Sequence, residues 1–397
     1  TLKKAALASA EQSLSPRSLS RRAKSLSTVV EYSDIQIYPS YINHLESLGI
    51  RPIVKSKWLN AVSAFLTTEQ IENLKQLNFI KKIQPTLKAR RNPIPEKPQS
   101  LYKSAFGDFS FYDYGSSLAQ NDLSNIPKVH EMGITGQGVL IAVFDTGFRL
   151  NHQANENLNV LATYDFIHND PNVDYDPDQD VQSQISHGTA VLPIIGGFYQ
   201  GELIGTAFSA DFILAKTEHY VTETPAEEDY WIAAAEWADS IGADIISSSL
   251  GYLDWYAYSD MDGETAPITI VADLAVKKGI VVVTAAGNEA SDAWKYIIAP
   301  ADGDSVIAVG AVNSKGQIAS FSSLGPSYDG RIKPDVVAMG SSTRTISTPP
   351  AEGIGDGYRS ISGTSASTPI VAGVAALVLS AFPDLTPMQV REAIIHT

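Results

Sequence analysis

The chain of 397 residues contains no cysteine. Disulfide bonds, thiol catalysis and cysteine-bound zinc are therefore excluded, so stability must come from an apolar core or from bound ions. Basic residues are also in deficit, since 29 Lys and Arg face 44 Asp and Glu and leave a formal net charge of −15. This excess of negative charge argues against a nucleic acid or an anionic membrane surface as partner.

Long apolar runs are missing as well. No stretch of the sequence approaches the roughly 18–20 apolar residues that a membrane helix requires, so we expect no membrane span. A hydrophobic content of 44% is nevertheless ample for a packed core. The length suits a small domain followed by a larger one.

Composition divides the chain into four segments. Residues 1–27 are rich in Ser, Ala, Lys and Arg without an apolar period, and we expect a flexible leader. Residues 28–88 are predicted to form a small domain, 89–122 a linker that includes Arg90–Pro95 and contains the processing region, and 123–397 a large domain. The chain ends in what looks like an interrupted helix, so we expect the native protein to continue.

The small domain shows short units of alternating type. The pattern predicts a ferredoxin-like β-α-β-β-α-β sandwich of the α+β class, with a capping box of Thr67 and Gln70 at its second helix. The predicted strands are Val29–Ile37, Arg51–Val54, Trp58–Leu66 and Phe79–Ile83, and the predicted helices are Tyr41–Leu48 and Glu69–Leu77.

The large domain alternates near-continuous apolar runs with helical patterns. This alternation predicts an α/β fold with a mostly parallel sheet and helices on both faces. The predicted strands are Val139–Phe144, Phe212–Ala215, Asp244–Ser247, Ile280–Thr284 and Val306–Val309, and the predicted helices are Glu227–Ser240, Ile268–Lys278 and Ser365–Phe382.

Polar residues follow three of the predicted strands. Asp145, the segment Ser249–Gly251 and Asn288 each come after a strand, at the end where α/β sheets bind ligands. His187 and Ser365 instead begin predicted helices, whose free N–H groups and partial positive charge favour an oxyanion. We therefore expect these residues to converge on one rim of the sheet.

Asp145, His187 and Ser365 follow one of the chain orders known for serine hydrolase triads. A serine hydroxyl needs an adjacent base, an imidazole can take and return a proton near neutral pH, and a buried carboxylate orients that imidazole. Each residue alone has an ordinary alternative as a turn, surface or cap residue. Their joint occurrence with Asn288 favours function.

The segments Asp145-Thr146-Gly147, His187-Gly188-Thr189 and Gly363–Pro369 resemble the signatures of the subtilases, the subtilisin-like serine proteases. The resemblance implies that Ser365 is the nucleophile, His187 the general acid/base and Asp145 its orienter. It also implies that Asn288 supplies the oxyanion-hole amide. The small domain, with Leu59–Ala64 and Ile80–Pro85, resembles the inhibitory propeptide of that family.

Two walls of a substrate cleft are also implied by this resemblance. Ser249, Leu250 and Gly251 would pair with an extended peptide, and Ala286 and Gly287 would form the opposing wall. The aromatic residues that follow the first wall either line outer subsites or pack as a loop; they are Tyr252, Trp255, Tyr256 and Tyr258.

Between the aspartate and histidine motifs lies an acidic loop. Its alternate carboxylates suit calcium, which many subtilases use to fix loops, but a solvated loop is the favoured interpretation because the EF-hand pattern is not met. The acidic residues are Asp170, Asp174, Asp176, Asp178 and Asp180. No cofactor is expected for catalysis, and no metal ligand is assigned.

The resemblance implies a secreted, self-processing serine endopeptidase that acts on proteins or peptides and is inhibited by its own propeptide. Two alternatives stay open at this point. An acyl-transferase on the same scaffold would pass the acyl group to an amine, and a non-catalytic protein would keep the fold only to bind peptides.

Overall fold

The computed structural model describes residues 2–84, 111–348 and 357–396. Most of the predicted linker 89–122, including Arg90–Pro95, lies outside the described residues. The described part comprises a small N-terminal unit, residues 2–84, and a large sheet domain that begins at residue 111.

The sheet domain is built on seven parallel strands, of which the apolar runs predicted the inner five. All the strands therefore end at the same edge of the sheet, where polar residues can gather. In spatial order they are Val336–Met339, Ile307–Val312, Val281–Ala285, Ile245–Ser248, Leu140–Asp145, Asp211–Lys216 and Asn159–Asp165.

Side chains of the central strand alternate between two apolar cores. Ile141 and Val143 point into one core, and Leu140, Ala142 and Phe144 point into the other. Because neighbouring side chains of a strand face opposite sides, this alternation places a helical layer on each face. The α/β prediction is confirmed.

The helices that cover the first core are Ser186–Gly196, Thr364–Ala381 and Pro387–Ile395, and those that cover the second are Pro225–Ile241 and Pro267–Lys277. The chain enters this domain through two short helices, Leu118–Asp122 and Ile126–Glu131. Two small antiparallel pairs complete it, Phe198–Tyr199 with Leu203–Ile204 and Thr343–Ile346 with Tyr358–Ile361.

One helix is long and apolar enough to span a membrane by composition. Thr364–Ala381 has 18 residues and a mean hydropathy of 1.5, so the expectation that no run is long enough was wrong. Since 72% of this segment is buried inside the protein, it is the central helix of the core. We call it the central helix below.

The N-terminal unit departs from the predicted ferredoxin-like order. Its strands Pro52–Ser56 and Ala61–Ala64 pair antiparallel, and the capping box of Thr67 and Gln70 is confirmed. The predicted strands at Val29–Ile37 and Phe79–Ile83 are absent from the described residues. The helices of the unit are Leu2–Gln12, Pro16–Ser25, Pro39–Ser47 and Thr68–Leu74.

Both missing strands have a physical reason. At Tyr32–Asp34 the chain forms a 3-10 turn, because the Asp34 carboxylate accepts the Glu31 N–H at 2.8 Å and points at basic partners. Phe79, Ile80 and Ile83 pack their side chains against the small core of Leu45, Ile50 and Leu74 without pairing to a strand.

The first 27 residues, expected to be a flexible leader, instead contain two helices. Arg21 and Arg22 of helix Pro16–Ser25 are buried and both bind the Asp239 carboxylate of the sheet domain. Arg22 also binds Asp34, which in turn accepts the Lys278 ammonium at 2.8 Å. The helix was not predicted because it is held in place by ion pairs with residues elsewhere in the chain, and its own sequence shows no apolar period.

The described end of the predicted linker, residues 111–122, is packed on the sheet domain. The Tyr114 hydroxyl lies 2.6 Å from His130 Nδ1, and the Asn121 amide donates to the Ile204 carbonyl at 2.9 Å. Tyr114 and Asn121 are both buried. The sheet domain therefore begins before residue 123.

Candidate active site

Four of the predicted site residues lie at the carboxyl edge of the sheet or at a helix start beside it. Asp145 is the last residue of its strand, and Asn288 follows strand Val281–Ala285 after two residues. His187 and Ser365 are each the second residue of a helix. The predicted arrangement of strand ends and helix starts is therefore present.

Asp145 and His187 are in direct contact. The distance from His187 Nδ1 to Asp145 Oδ1 is 2.7 Å, and Asp145 is fully buried while His187 is partly exposed. The Thr146 N–H donates to the same Asp145 oxygen at 2.8 Å. A buried carboxylate in this position fixes the orientation of the imidazole and leaves its other nitrogen free for proton transfer.

Gly188 makes this contact sterically feasible. A Cβ atom on Gly188 would lie 2.3 Å from the Gly147 carbonyl oxygen and 2.9 Å from Asp145 Cβ. No other residue fits there without moving the backbone. The glycine after the histidine therefore lets the helix start approach the aspartate strand.

Ser365 is connected to the first cleft wall. Its hydroxyl lies 3.4 Å from the Ser249 carbonyl oxygen, and the Ser249 hydroxyl donates to the Ser365 carbonyl at 2.9 Å. Among the described residues no hydrogen bond joins Ser365 to His187. Such bonds are often long in an enzyme without substrate and tighten when substrate binds.

Pro369 explains why the Ser365 carbonyl is available for Ser249. In a regular helix the N–H of residue 369 would bond the carbonyl of residue 365, but proline has no N–H to donate. The freed carbonyl accepts the Ser249 hydroxyl instead. Pro369 was visible in the motif Gly363–Pro369, but the hydrogen bond between Ser249 and Ser365 was not predicted.

Asn288 is oriented by Thr364. Its Oδ1 accepts the Thr364 N–H at 2.8 Å and the Thr364 hydroxyl at 3.1 Å, whereas its Nδ2 donates to none of the residues that the structure describes. The amide N–H₂ is therefore free to bind an anion beside Ser365. The role of Thr364 was missed, although its place directly before the serine was visible.

The residues of the two predicted cleft walls differ in what they can present to a substrate. The side chains of Leu250 and Ala286 are buried in the protein interior, so only their backbone can face a substrate. Gly287 has φ +107° and its N–H lies 3.3 Å from the Thr364 hydroxyl. Both walls therefore start beside the first turn of the central helix.

The aromatic residues after the first wall mostly pack inward. The Tyr252 hydroxyl donates to Glu218 at 2.8 Å, and the Tyr256 hydroxyl donates to Glu228 at 2.8 Å. Burial raises the pKa of Glu228 to about 8. Trp255 also donates to Glu228, whereas the half-buried Tyr258 packs against the second core and stacks its ring on Tyr296.

A lysine side chain neutralises part of the acidic loop. The buried Lys216 ammonium lies 2.6 Å from Asp180 and 2.9 Å from Asp165. Asp170, Asp174 and Asp176 accept backbone N–H groups of the loop itself, and in the described chain no three acidic or histidine side chains converge as metal ligands. These residues therefore do not fit a calcium site.

A buried carboxylate that holds an imidazole, together with a serine at a helix start near the same edge of the sheet, is typical of the serine hydrolases. Comparison with known proteins gives the family. Residues 136–397 match the subtilase family, and residues 2–100 match the peptidase S8 propeptide domain of Bacteroidota. The chain belongs to the subtilase family and is a serine endopeptidase.

Individual relatives agree with this assignment. Subtilisin NAT of Bacillus subtilis subsp. natto is 38% identical over 295 residues, which cover 73% of this chain and 68% of that protein. Subtilisin of Bacillus pumilus is 39% identical over 274 residues, or 68% of this chain and 87% of that protein. A solved protease from Pseudoalteromonas arctica superimposes with a TM-score of 0.58 at 25% identity, covering 72% of this chain and 92% of that one.

The propeptide match covers more of the chain than the N-terminal domain predicted from residue 28. It begins at residue 2 rather than at residue 28, so the two helices of the first 27 residues fall within the matched domain. This agrees with their contacts to Asp34 and to the sheet domain.

Proposed function

We propose that this endopeptidase works through a triad of Asp145, His187 and Ser365 and is made as a self-processing zymogen. The observation that carries the triad is the 2.7 Å contact between His187 Nδ1 and the buried Asp145 carboxylate. The serine at the start of the central helix lies at the same rim.

In the first half-reaction His187 Nε2 takes the proton of the Ser365 hydroxyl while its oxygen bonds to the scissile carbonyl carbon. The tetrahedral intermediate collapses when His187 gives that proton to the leaving amine. Water then attacks the acyl-enzyme, again through His187, and the acid product leaves as Ser365 recovers its proton. Asp145 stabilises the imidazolium throughout.

Asn288 and the Ser365 backbone N–H would bind the oxyanion of the intermediate. Thr364 holds the Asn288 oxygen, which leaves Nδ2 as the donor. The Ser365 N–H belongs to the first helical turn, where N–H groups lack helical partners. Two fixed donors at a helix start are suited to a charge that develops only in the transition state.

The substrate we infer is an extended peptide that lies along Ser249–Gly251 as an added strand. The Ser249 bonds to Ser365 tie this wall to the nucleophile. Peptidases form the family to which the chain belongs, which favours hydrolysis over transfer to an amine. The acidic net charge of −15 gives no support to a nucleic-acid partner.

The N-terminal unit is proposed to be an intramolecular inhibitor. Glu236 of the sheet domain accepts the Ser56 hydroxyl at 2.7 Å and the Trp58 N–H at 3.0 Å, so it caps the turn between the two strands of the unit. Trp58 is buried within the second core of the sheet domain. A propeptide held this way can direct the chain that follows it toward the cleft.

Self-cleavage would free this inhibitor. Residues 111–122 are packed on the sheet domain, so we place the cut upstream of them, between residues 85 and 110. Cutting the tether removes the high effective concentration of the inhibitor. We further propose that the enzyme acts outside the cell, where an endopeptidase with a broad cleft does not threaten cytoplasmic proteins.

The test is covalent labelling of the enzyme obtained from the full chain with a fluorophosphonate, which reacts only with an activated serine. Wild type should be labelled and should hydrolyse peptides, whereas Ser365→Ala and His187→Ala should do neither. Ser367→Ala is the matched control, because this buried hydroxyl of the same helix bonds only the Thr364 carbonyl. Labelling that persists in Ser365→Ala would refute the assignment.

A further inference from the structure

Gln184 has a buried side chain that joins three segments of the sheet domain. Only 2% of its surface is exposed. Its amide N–H₂ group donates to the Thr146 carbonyl at 2.9 Å and to the Glu218 carbonyl at 2.6 Å. Its amide oxygen accepts the Tyr220 N–H at 3.1 Å. Both donors and the acceptor of this amide are therefore bonded to backbone groups, which fixes the position of the side chain.

The contact with Thr146 lies beside the carboxylate–imidazole pair. Gln184 precedes His187 by three residues, and Thr146 directly follows Asp145. On the other side of the histidine, the Gly188 N–H donates to the Thr146 hydroxyl at 3.2 Å, and this hydroxyl donates to Asp145 Oδ1 at 3.2 Å. The segment that carries His187 is thus bonded to Thr146 both before and after the histidine.

The helix that carries the histidine has no capping side chain of its own. Helix Ser186–Gly196 has Ile185 as its N-cap residue, and an isoleucine side chain cannot accept a hydrogen bond from the first turn. Strand Leu140–Asp145, by contrast, is fixed by a parallel strand on each side. The contact between the histidine and the aspartate therefore depends on the bonds that tie this helix start to the strand, such as the bond of Gln184.

We propose that Gln184 is a positioning residue, which holds the start of the histidine helix against Thr146 so that His187 meets Asp145 at hydrogen-bond distance. This inference rests on the proposed function and adds to it a residue outside the motif that begins at His187. Gln184 acts through the histidine and takes no part in the proton transfer itself. Because a catalytic group displaced by about 1 Å can lose roughly a hundredfold in rate, removing the amide should lower kcat by about ten- to hundredfold.

The test is Gln184→Met, which keeps the length of the side chain and removes the amide, in the enzyme obtained from the full chain. The active sites of each preparation are counted by fluorophosphonate labelling. Per labelled site, kcat should fall by about ten- to hundredfold with little change in KM, and self-cleavage of the full chain should slow by a similar factor. A merely structural role would lower the melting temperature and the labelled fraction but leave kcat per labelled site unchanged.

Gln179→Met is the matched control, because the exposed Gln179 amide of the preceding loop donates to the Asp170 carboxylate at 3.1 Å, and its loss should leave kcat unchanged. Gln184→Asn replaces Gln184→Met if the latter does not fold. Its amide is shorter by one methylene and cannot keep both carbonyl bonds, so kcat should again fall.

The outcomes separate this inference from the proposed function. An unchanged kcat per labelled site in the folded Gln184 variant, beside a labelled and active wild type, overturns the role of Gln184 alone. A wild type that is neither labelled nor active overturns the proposed function, and this inference with it.

Discussion

The interior of the sheet domain and its contact with the N-terminal unit are held together in opposite ways. In the sheet domain the central strand Leu140–Asp145 is fully buried and apolar up to its last residue, as at Ile141, Val143 and Phe144. At the contact the deepest side chains are charged, with Arg22, Asp239 and Lys278 all fully buried. Folding thus removes apolar side chains from water along the central strand, and it removes charged pairs from water at the contact with the N-terminal unit.

The two kinds of contact suit a catalytic domain that stays folded and a propeptide that is proposed to be released. Apolar burial is non-directional and survives loss of any one partner, so the domain that carries the site stays assembled. Buried ion pairs repay little more than their desolvation cost, but breaking one is expensive because a bare charge remains. A charged contact therefore gives an exact fit with limited affinity, as expected for a propeptide that must leave.

The largest expected effect comes from breaking the charged contact. Arg22→Met removes a partner that Asp34 and Asp239 share, which should cost about 3–5 kcal/mol, or roughly a hundred- to five-thousandfold weaker inhibition by the released N-terminal fragment. The inhibition constant against mature enzyme measures it. Arg51→Met, at an exposed position of the same unit, is the control. Equal inhibition by both variant fragments would mean that the ion pairs do not hold the propeptide.

At the rim of the sheet domain, we expect the loss of a single hydrogen-bond donor to reduce kcat strongly. Asn288→Ala is expected to fold with a lowered melting temperature, because the buried Thr364 N–H and hydroxyl lose their acceptor, and to lose roughly 10²–10³ in kcat. The loss in kcat follows from the proposed binding of the oxyanion by Nδ2. Steady-state kinetics decide the point, and a loss confined to KM would make Asn288 a binding residue instead.

A smaller effect is a pH dependence of the stability that Asp34 contributes at the charged contact. Burial alone would raise the pKa of Asp34, but Arg22, the Glu31 N–H and Lys278 outweigh it and hold this pKa well below its ordinary value of 3.8. For a depressed carboxylate the stabilisation is complete above the unfolded pKa and is lost as pH falls through the range toward the folded pKa.

In the uncut Ser365→Ala background, Asp34→Asn should therefore lower the melting temperature most at pH 6 and by a smaller amount at pH 3, where the unfolded carboxyl is largely protonated but the folded one is still ionised. Glu236 titrates in both proteins, since burial raises its pKa, and its contribution cancels in the difference. A difference that is as large at pH 3 as at pH 6 would contradict the assigned role of Asp34.

The smallest effect concerns the acidic loop. Because the Lys216 ammonium already neutralises Asp165 and Asp180, excess chelator should leave the melting temperature unchanged, in wild type and in Asp178→Asn alike. A chelator-induced drop that Asp178→Asn abolishes would show a calcium site at this loop after all.

The same comparison explains what could be predicted from the sequence. The inner strands were found because each is a continuous apolar run buried on both faces. The edge strands Asn159–Asp165 and Val336–Met339 were missed, since they are only partly buried and lack such a run. Helix Pro16–Ser25 was missed because its order depends on Asp239, more than 200 residues away.

In the candidate site, too, some features were predicted from the sequence and others were not. Asp145, His187, Asn288 and Ser365 lie in short local motifs, so the sequence alone indicated their places. The hydrogen bonds that join Thr364 to Asn288 and Ser249 to Ser365 were not predicted, because they form only when separate segments pack together. Residue type and local context indicate a chemical role, whereas contacts of this kind are seen only in the folded structure.

The central claim is that Ser365 of the sheet domain cuts the chain that tethers the N-terminal unit to it. Intact-mass analysis of the full chain, purified and incubated, tests this most directly. Wild type and Ser367→Ala should each give two fragments with a boundary between residues 85 and 110, whereas Ser365→Ala should remain one uncut polypeptide. Purified Ser365→Ala that is cut at the same bond and at the same rate would contradict the account.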